Sequence, residues 1–540
     1  MENNTIQKTT DKLWAMANEL RGTMDASEYK NYILAFMFYR YLSEHQEKYL
    51  QEHNIIDIVP GQTVNDAYAA QTTKEGLEDY LQDISASLGY AIEPENTWAS
   101  LMARIENAQL VPGDYQQLID GFERNIKRNK EADKDFHGIF NDVHLGDSRL
   151  GSSTAERAKS LSSVVRLVDS IEYHDEGGRD ILGEIYEYLI GQFAASAGKK
   201  GGEFYTPHQV SKILAKLATA EAGSGEEAFT VYDPAMGSGS LLLTVGKELA
   251  GRRHVKYHGQ ELNTTTYNLA RMNLMMHGVG YSNMTLSNAD TLEADWPDGI
   301  DDKGIDRPRS FDAVVANPPY SAKWDNADTK LKDPRFAPYG ALAPASKADY
   351  AFILHSLYHL NQNGTMAIVL PHGVLFRGAA EGRIRKALIE SAGGAQGNYL
   401  DAVIGLPANL FYGTGIPTAI LVFKKNRRRK DILFIDASND FEKGKNQNRL
   451  TDEHVEKIVA AYRKRENIDK FAHLADLEEI RANDYNLNIP RYVDTFEEEE
   501  QIDLAQVLRD LETDKREIAE LEKEIAAQFK LLGVEVPDGL

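Results

Sequence analysis

The spacing of apolar and polar positions divides the chain into regions of different period. Up to about residue 170 the period is helical. Leu13 to Leu20 has helical apolar spacing, Asp25-Ala26-Ser27-Glu28 reads as a helix start, and Tyr29 to Leu42 is dense in Tyr, Phe, Met and Leu, the stripe of a helix packed into a core. The polar run Gly146 to Ser153 and the helix after it mark the exit from this region. Farther on, short apolar runs of strand length take over: Phe229 to Tyr232, His254 to Gly259, Met284 to Ser287, Phe311 to Ala316, Thr365 to Leu370, Ala402 to Leu406 and Thr418 to Phe423. Helical spacing at Val210, Ile213, Leu214 and Leu217, and again from Leu241, alternates with the first of them. Such alternation predicts an α/β fold with a parallel sheet. At the far end Leu504, Leu511, Ile518, Ile525 and Leu532 recur at sevens, with Val507 or Leu508, Leu521 and Phe529 partly filling a second seam. That pattern predicts a coiled-coil-like helix.

A chain of 540 residues is too long for one core. The expected division is an all-helical domain over 1–170, an α/β domain over 171–480, and a C-terminal segment over 481–540. Composition is ordinary for a cytoplasmic protein, 42% hydrophobic and 26% charged, without a run of membrane length or a signal-peptide pattern. With no cysteine, disulfides, thiolate metal sites and a Cys nucleophile are excluded, and no metal site is expected. The net charge of -23 opposes a lone DNA-binding protein, which needs a basic surface to displace counterions from phosphates. A nucleic-acid substrate then requires a local patch or a partner that supplies the grip. The densest basic run, Lys424 to Lys430, is either a solvated hairpin loop or a phosphate contact.

The candidate chemistry sits at strand ends. In open α/β sheets the carboxyl ends of the strands are where ligands bind. The first strand runs into Asp233-Pro234-Ala235-Met236-Gly237-Ser238-Gly239-Ser240, a glycine turn that lets backbone approach a ligand. The second ends in Gln260-Glu261, at a spacing that suits an acid on ribose hydroxyls. The third ends in Asn288-Ala289-Asp290, where an acid can accept from an adenine amino group. Together these describe an adenosine-containing cofactor. No Gly-x-x-x-x-Gly-Lys-[Ser/Thr] loop accompanies the turn, and Asp233 suits an ammonium better than a pyrophosphate. The cofactor expected is S-adenosylmethionine, and the reaction methyl transfer.

The run Phe311 to Ala316 then ends in Asn317-Pro318-Pro319-Tyr320, because two prolines cannot continue a ladder. The Asn317 side-chain oxygen and the Pro318 carbonyl are two acceptors for an exocyclic amino group, and Tyr320 is a face on which its ring can stack. Such an amine is a poor nucleophile until its hydrogens are held and its lone pair is aimed, so positioning and electrostatics would carry the rate. In duplex DNA the base must be flipped out, with Phe411 a candidate for its opposite face. Upstream, Gly202-Glu203-Phe204-Tyr205-Thr206-Pro207-His208 runs from a Gly/Lys loop into a helix start at Thr206-Pro207.

In the order Gly202 to Pro207, Asp233 to Gly239, Glu261, Asn288-Ala289-Asp290-Thr291-Leu292 and Asn317 to Tyr320, the chain resembles the modification subunits of Type I restriction-modification systems, N6-adenine DNA methyltransferases. Leu410 to Pro417, Tyr485 to Tyr492 and the N-terminal helical stretch match as well, so the resemblance covers nearly the whole chain. Many relatives have Phe where Tyr320 stands, and either ring can stack a base. The resemblance implies a Rossmann-like fold, with Glu203, Phe204, Tyr205, Thr206, Pro207, His208, Gly237, Ser238, Gly239 and Ser240 lining the cofactor pocket and Glu261 on the ribose. It also implies double-stranded DNA as substrate, a specificity subunit that reads it, a restriction subunit that cleaves it, and two copies of this chain per methyltransferase complex. Two rival readings remain: a methyltransferase acting on RNA bases or protein glutamine, which share the tetrapeptide, and a non-catalytic assembly subunit. The large flanking regions and Glu203 to Pro207 argue against the first; the intact Asn317 and glycine turn argue against the second.

Overall fold

The structure, a computed structural model, describes residues 26–72, 76–107, 110–173, 181–197, 206–293, 308–391, 396–411, 414–444, 447–495 and 503–535. They form two compact units, Met1–Asp494 and Thr495–Leu540.

The helical stripe becomes one long helix, Ala26–Glu52, in which Tyr32, Phe36, Met37, Phe38 and Tyr39 are buried. It packs with Trp98–Glu106, Pro112–Ile126, Thr154–Asp169 and Leu182–Ala197 around a core that also takes in Leu269, Met272, Met275 and Met276 from the helix Thr264–Met276 of the α/β region. Helical and α/β regions thus share a core and lie in one compact unit. The expected Leu13 to Leu20 helix lies outside the described residues.

Nine strands build one sheet: β1 Phe229–Asp233, β2 Val255–Glu261, β3 Met284–Asn288, β4 Phe311–Ala316, β5 Leu360–Pro371, β6 Leu400–Gly405, β7 Thr418–Lys424, β8 Ile432–Asp436 and β11 Ala472–Ala475, the last numbered after a small hairpin of β9 Glu442–Lys443 and β10 Asn448–Arg449. Their order is β11-β8-β6-β7-β5-β4-β1-β2-β3. β7 runs antiparallel between β5 and β6, and β11 runs antiparallel to β8; the remaining neighbours pair in parallel. Strand order reverses between β1 and β4, which opens a crevice at their carboxyl ends. Alternation along β4 shows why its run is apolar throughout. Ala313 and Val315 enter the core on one face with Val231 and Val369, and Val314 and Ala316 enter the other with Tyr232 and Ile368.

Two parts of the chain differ from the expected layout. Residues 481–494 belong to the α/β unit, so its end lies at 494/495 instead of 480/481. Leu487 and Ile489 are buried there, and Tyr492 stacks on Phe434 with centroids 3.8 Å apart. The basic run leaves β7 at the end remote from the crevice, because Thr418 pairs with the last residue of β5 and Lys424 with Thr365 near its start. Arg427 is bound to Asp401 at 2.9 Å, and Lys425 donates to the Tyr358 carbonyl at 3.1 Å, burial pushing its pKa down to about 8. These two cations hold the fold.

In the second unit the helix Leu504–Leu531 buries no residue. Leu504, Leu511, Ile518 and Ile525 are 71%, 48%, 54% and 42% exposed, so an apolar seam runs along it uncovered.

Candidate active site

Local backbone constraints shape the floor of the crevice. The turn after β1 needs left-handed conformations at Gly237, φ 55°, and Gly239, φ 77°. The two glycines serve different ends. A Cβ on Gly237 would meet nothing within 4 Å, whereas one on Gly239 would lie 2.4 Å from the Leu274 side chain. Gly237 leaves room for a ligand; Gly239 lets the following helix Ser240–Leu249 pack closely. Asn273 donates to the Ser238 carbonyl at 2.9 Å, and the Ser238 and Ser240 hydroxyls lie 3.1 Å apart. At the end of β2 the Glu261 carboxylate accepts from the Gly237 N–H at 3.1 Å and the Asn263 N–H at 2.8 Å, so the acid also braces the glycine turn. Asp290, beyond β3, accepts from the Leu292 N–H at 2.9 Å, and the Thr291 hydroxyl donates to the Pro234 carbonyl, tying the third strand end to the first.

These ends enclose a cavity of about 630 Å³ whose wall includes Asp233, Gly237, Ser238, Ser240, Glu261 and Asp290, and which reaches Thr206, Asn317 and Pro319. Asp233 is 2% exposed and holds the Ala235 N–H at 2.9 Å. Burial, with a smaller push from Glu261, raises its pKa to about 8 against the pull of that N–H. Asn317 is buried at the end of β4. Its amide nitrogen donates to the Thr206 hydroxyl at 2.9 Å, while its side-chain oxygen is buried and accepts from no described residue. A buried acceptor left open costs stability, so it marks a place where an N–H belongs.

Not every expected residue is on this wall. Gly239 faces Leu274. Pro207 and His208 line a separate cavity of about 330 Å³. Glu203, Phe204 and Tyr205 lie outside the described residues. Pro318 is buried and Tyr320 half-buried behind the rim. The Tyr320 and Phe411 rings meet edge to face, centroids 5.9 Å apart at 75°, so a base between them requires the pair to part. Phe411 is only 2% exposed. Several wall residues were not singled out from the sequence, among them Leu262, Phe352 and Ile190. Leu262, 67% exposed beside Glu261, offers an apolar face for a ring, and its sequence signal was an apolar residue directly after the acid. Phe352 and Ile190 come from distant helices and carried no signal. Among the described residues no group of side chains fits a metal ion.

Comparison with known proteins gives consistent matches. The family described as N-6 DNA Methylase matches residues 177–501, and the HsdM N-terminal domain matches residues 9–168. The chain is 37% identical to the Type I restriction enzyme MpnII methylase subunit of Mycoplasma pneumoniae, over 98% of this chain and 96% of that protein. It is 33% identical to the HindI methylase subunit of Haemophilus influenzae, over 66% of this chain and 80% of that protein. Among solved structures, the Type I restriction-modification methyltransferase subunit of Streptococcus thermophilus superposes with a TM-score of 0.81 at 46% identity, covering 91% of this chain and all of that one.

Proposed function

The chain belongs to the N-6 DNA methylase family, among the methylase subunits of Type I restriction-modification systems, and from that premise we propose that its cavity takes S-adenosylmethionine and that Asn317 presents the N6 of a DNA adenine to it. The activity is adenine-N6 DNA methylation. One observation supports the assignment of roles: Asn317, whose buried side-chain oxygen accepts from no described residue, lines the end of a cavity that also holds Asp233, Glu261 and Asp290.

The residues fit that cofactor in three places. Each Glu261 oxygen accepts one backbone N–H, and the carboxylate lies on the cavity wall, where it is placed to accept from ribose hydroxyls. Asp290 keeps acceptor capacity for an adenine amino group, with Leu262 as a ring face. Asp233 gives a carboxylate for the amino-acid ammonium, and Gly237 gives space. S-adenosylmethionine supplies an electrophilic methyl on a sulfonium. Asn317 and the Pro318 carbonyl hold the two amino hydrogens, which turns the N6 lone pair toward that methyl. The bond to the Thr206 hydroxyl holds the Asn317 amide plane in place. Tyr320 supports the flipped base, and Phe411 covers its other face once the two rings part. Glu203, Phe204 and Tyr205, which precede Thr206 in the sequence, are further candidates for cofactor contact; Ser238 and Ser240 lie on the cavity wall, and Pro207, His208 and Gly239 support the backbone beside it.

DNA recognition is delegated. The chain is acidic overall and its densest basic run lies away from the crevice, so a specificity subunit supplies the grip and the choice of sequence, and the helix Leu504–Leu531 docks on it. A complete assembly has two copies of this chain and a restriction subunit, working on DNA in the cytoplasm; among the described residues no helix is long and apolar enough to cross a membrane. The test is methyl incorporation by the assembled complex into duplex DNA, RNA and protein. Label in adenine N6 of DNA supports the reading. Label confined to RNA or glutamine, or no cofactor binding by calorimetry, overturns it.

Two results are expected at the cofactor. Glu261→Ala weakens S-adenosylmethionine binding by about 1.5–3 kcal/mol, because a charge-assisted acceptor of two hydroxyls is lost. A titration with unchanged affinity would show that another acid holds the ribose. Affinity should also rise with pH. Below about pH 8 Asp233 is protonated in the free protein. An ammonium favours its ionised form, so binding there releases a proton and weakens as pH falls. From pH 6.5 to about 8 the dissociation constant is expected to drop as Asp233 ionises, and Asp233→Asn should flatten that limb of the profile. Calorimetry in two buffers of different ionisation enthalpy reads the proton directly.

A further inference from the structure

The exit of the catalytic tetrapeptide is held by a group that contributes nothing to the cavity wall. Directly after Tyr320, Ser321 is in the left-handed region at φ 52°. A non-glycine residue there is disfavoured and persists only where its surroundings fix it. Its N–H donates to Asp349 Oδ1 at 2.9 Å. Asp349 opens the helix Asp349–Tyr358 and is completely buried. Two further bonds continue the clamp: Ala348 N–H to the Ala322 carbonyl at 2.9 Å, and Trp324 N–H to the Ala345 carbonyl at 3.0 Å. The carboxylate is balanced by Arg377, which binds it through Nη2 and is itself forked onto Glu381, with Nε to Oε2 at 2.5 Å and Nη2 to Oε1 at 3.0 Å. Glu381 is buried as well. Burial first, and then the Asp349 charge, hold the Tyr320 hydroxyl in its protonated form, far above its usual range.

Alternatives for a buried carboxylate are few. A helix-capping role would need bonds to its own first-turn amides, and Asp349 makes none among those described. A pure ion pair would need no backbone donor from the tetrapeptide. The bond it does make reaches back 28 residues to the amide that follows Tyr320. Pro318 and Pro319 have no N–H, so the Ser321 amide is one of the first after Asn317 through which this turn can be pinned.

We propose that Asp349 is the positioning residue of the catalytic turn: by fixing the Ser321 amide, it sets where the Tyr320 face and the Pro318 carbonyl stand relative to the Asn317 oxygen, with Arg377 and Glu381 keeping it charged and in place. This rests on the reading of Asn317 to Tyr320 as the methyl-acceptor site. A misplacement of about 1 Å at such a site costs on the order of 100-fold in rate without loss of cofactor contacts.

The test uses the full chain assembled with its specificity subunit and compares Asp349→Ala with Asp349→Asn. Asparagine keeps an acceptor oxygen for the Ser321 amide but gives up the charge and the second oxygen that Arg377 binds. Methylation turnover of Asp349→Ala is expected to fall about 100-fold. S-adenosylmethionine affinity should stay within about threefold, since Asp349 does not line the cavity. Asp349→Asn should recover most of the turnover. Hydrogen exchange of the peptide spanning 317–323, read by mass spectrometry, should accelerate at least about tenfold in Asp349→Ala and little in Asp349→Asn, while peptides covering 233–245 keep wild-type protection. Unchanged exchange or unchanged turnover in Asp349→Ala overturns the proposal. So does equal loss of cofactor binding, which would make Asp349 a support of the whole fold. Failure of the wild-type complex to methylate adenine would instead overturn the reading of the site, and the exchange comparison would still decide whether Asp349 holds the turn.

Discussion

Asn317→Ala is expected to lower methylation by about 100-fold or more while leaving S-adenosylmethionine affinity within a few-fold. The Asn317 oxygen is buried with no described donor, and its amide nitrogen is committed to Thr206. It is thus a preorganised acceptor, and removing one such group aimed at developing charge costs about 3 kcal/mol, on the order of 100-fold in rate. The cofactor contacts assigned to Asp233, Glu261 and Asp290 are untouched by the change. Thr206→Val should repeat the effect in weaker form, because it frees the amide to turn. Single-turnover methylation with saturating cofactor measures both. Near-normal turnover by Asn317→Ala would remove Asn317 from the chemistry.

Truncation from Glu497 is expected to abolish site-specific methylation while the cofactor site remains intact. The two compact units divide at 494/495, so the cut falls outside the first. Every residue of the cavity wall lies upstream of it. What is lost is the helix Leu504–Leu531, whose Leu504, Leu511, Ile518 and Ile525 are uncovered. Burying each such side chain is worth about 1.5–3 kcal/mol, so a seam of four is ample for a stable helical pairing. A 28-residue helix is about 42 Å long, enough to run along a partner helix. Co-purification with the specificity subunit and methylation of target against scrambled duplex are the measurements. Normal assembly by the truncated chain, or selective methylation by the isolated full-length chain, would show that recognition does not pass through this helix. A seam satisfied by self-pairing would appear as a dimer of the isolated chain that the truncation dissolves.

Much of the site was legible because its residues are fixed by local backbone rules. A proline ends a strand wherever it stands, so Asn317 to Tyr320 had to lie at a strand end. Gly237 was readable for the same reason, since a left-handed turn between strand and helix selects glycine. Glu261 and Asp290 followed from their place two and three residues beyond the runs His254 to Gly259 and Met284 to Ser287. The period of sevens from Leu504 was visible because a helix repeats its face at fixed spacing. In each case the signal and the structure lie within a few residues of each other.

What tertiary structure alone decided depends on contacts between distant segments, which leave no period in the sequence. Thr206 meets Asn317 across 111 residues, and Asp349 meets Ser321 across 28. Phe352 joins the cavity wall only because its helix packs on the sheet. Gly239 looked like its neighbour Gly237 but is spent on packing against Leu274, a difference that only the helix Thr264–Met276 could reveal. Charge density left Lys424 to Lys430 open as a solvated loop or a phosphate contact; the fold engages Arg427 and Lys425 with Asp401 and the Tyr358 carbonyl, and the antiparallel β7 delivers the run to the end of the sheet remote from the crevice. The helical region and the α/β region were read as separate domains because their periods differ. They share a core because the helix Thr264–Met276, which packs on β2 and β3, also buries Leu269, Met272, Met275 and Met276 among the N-terminal helices. Local sequence determined the chemical groups at each strand end; the packing of the whole unit determined which of them face the same space.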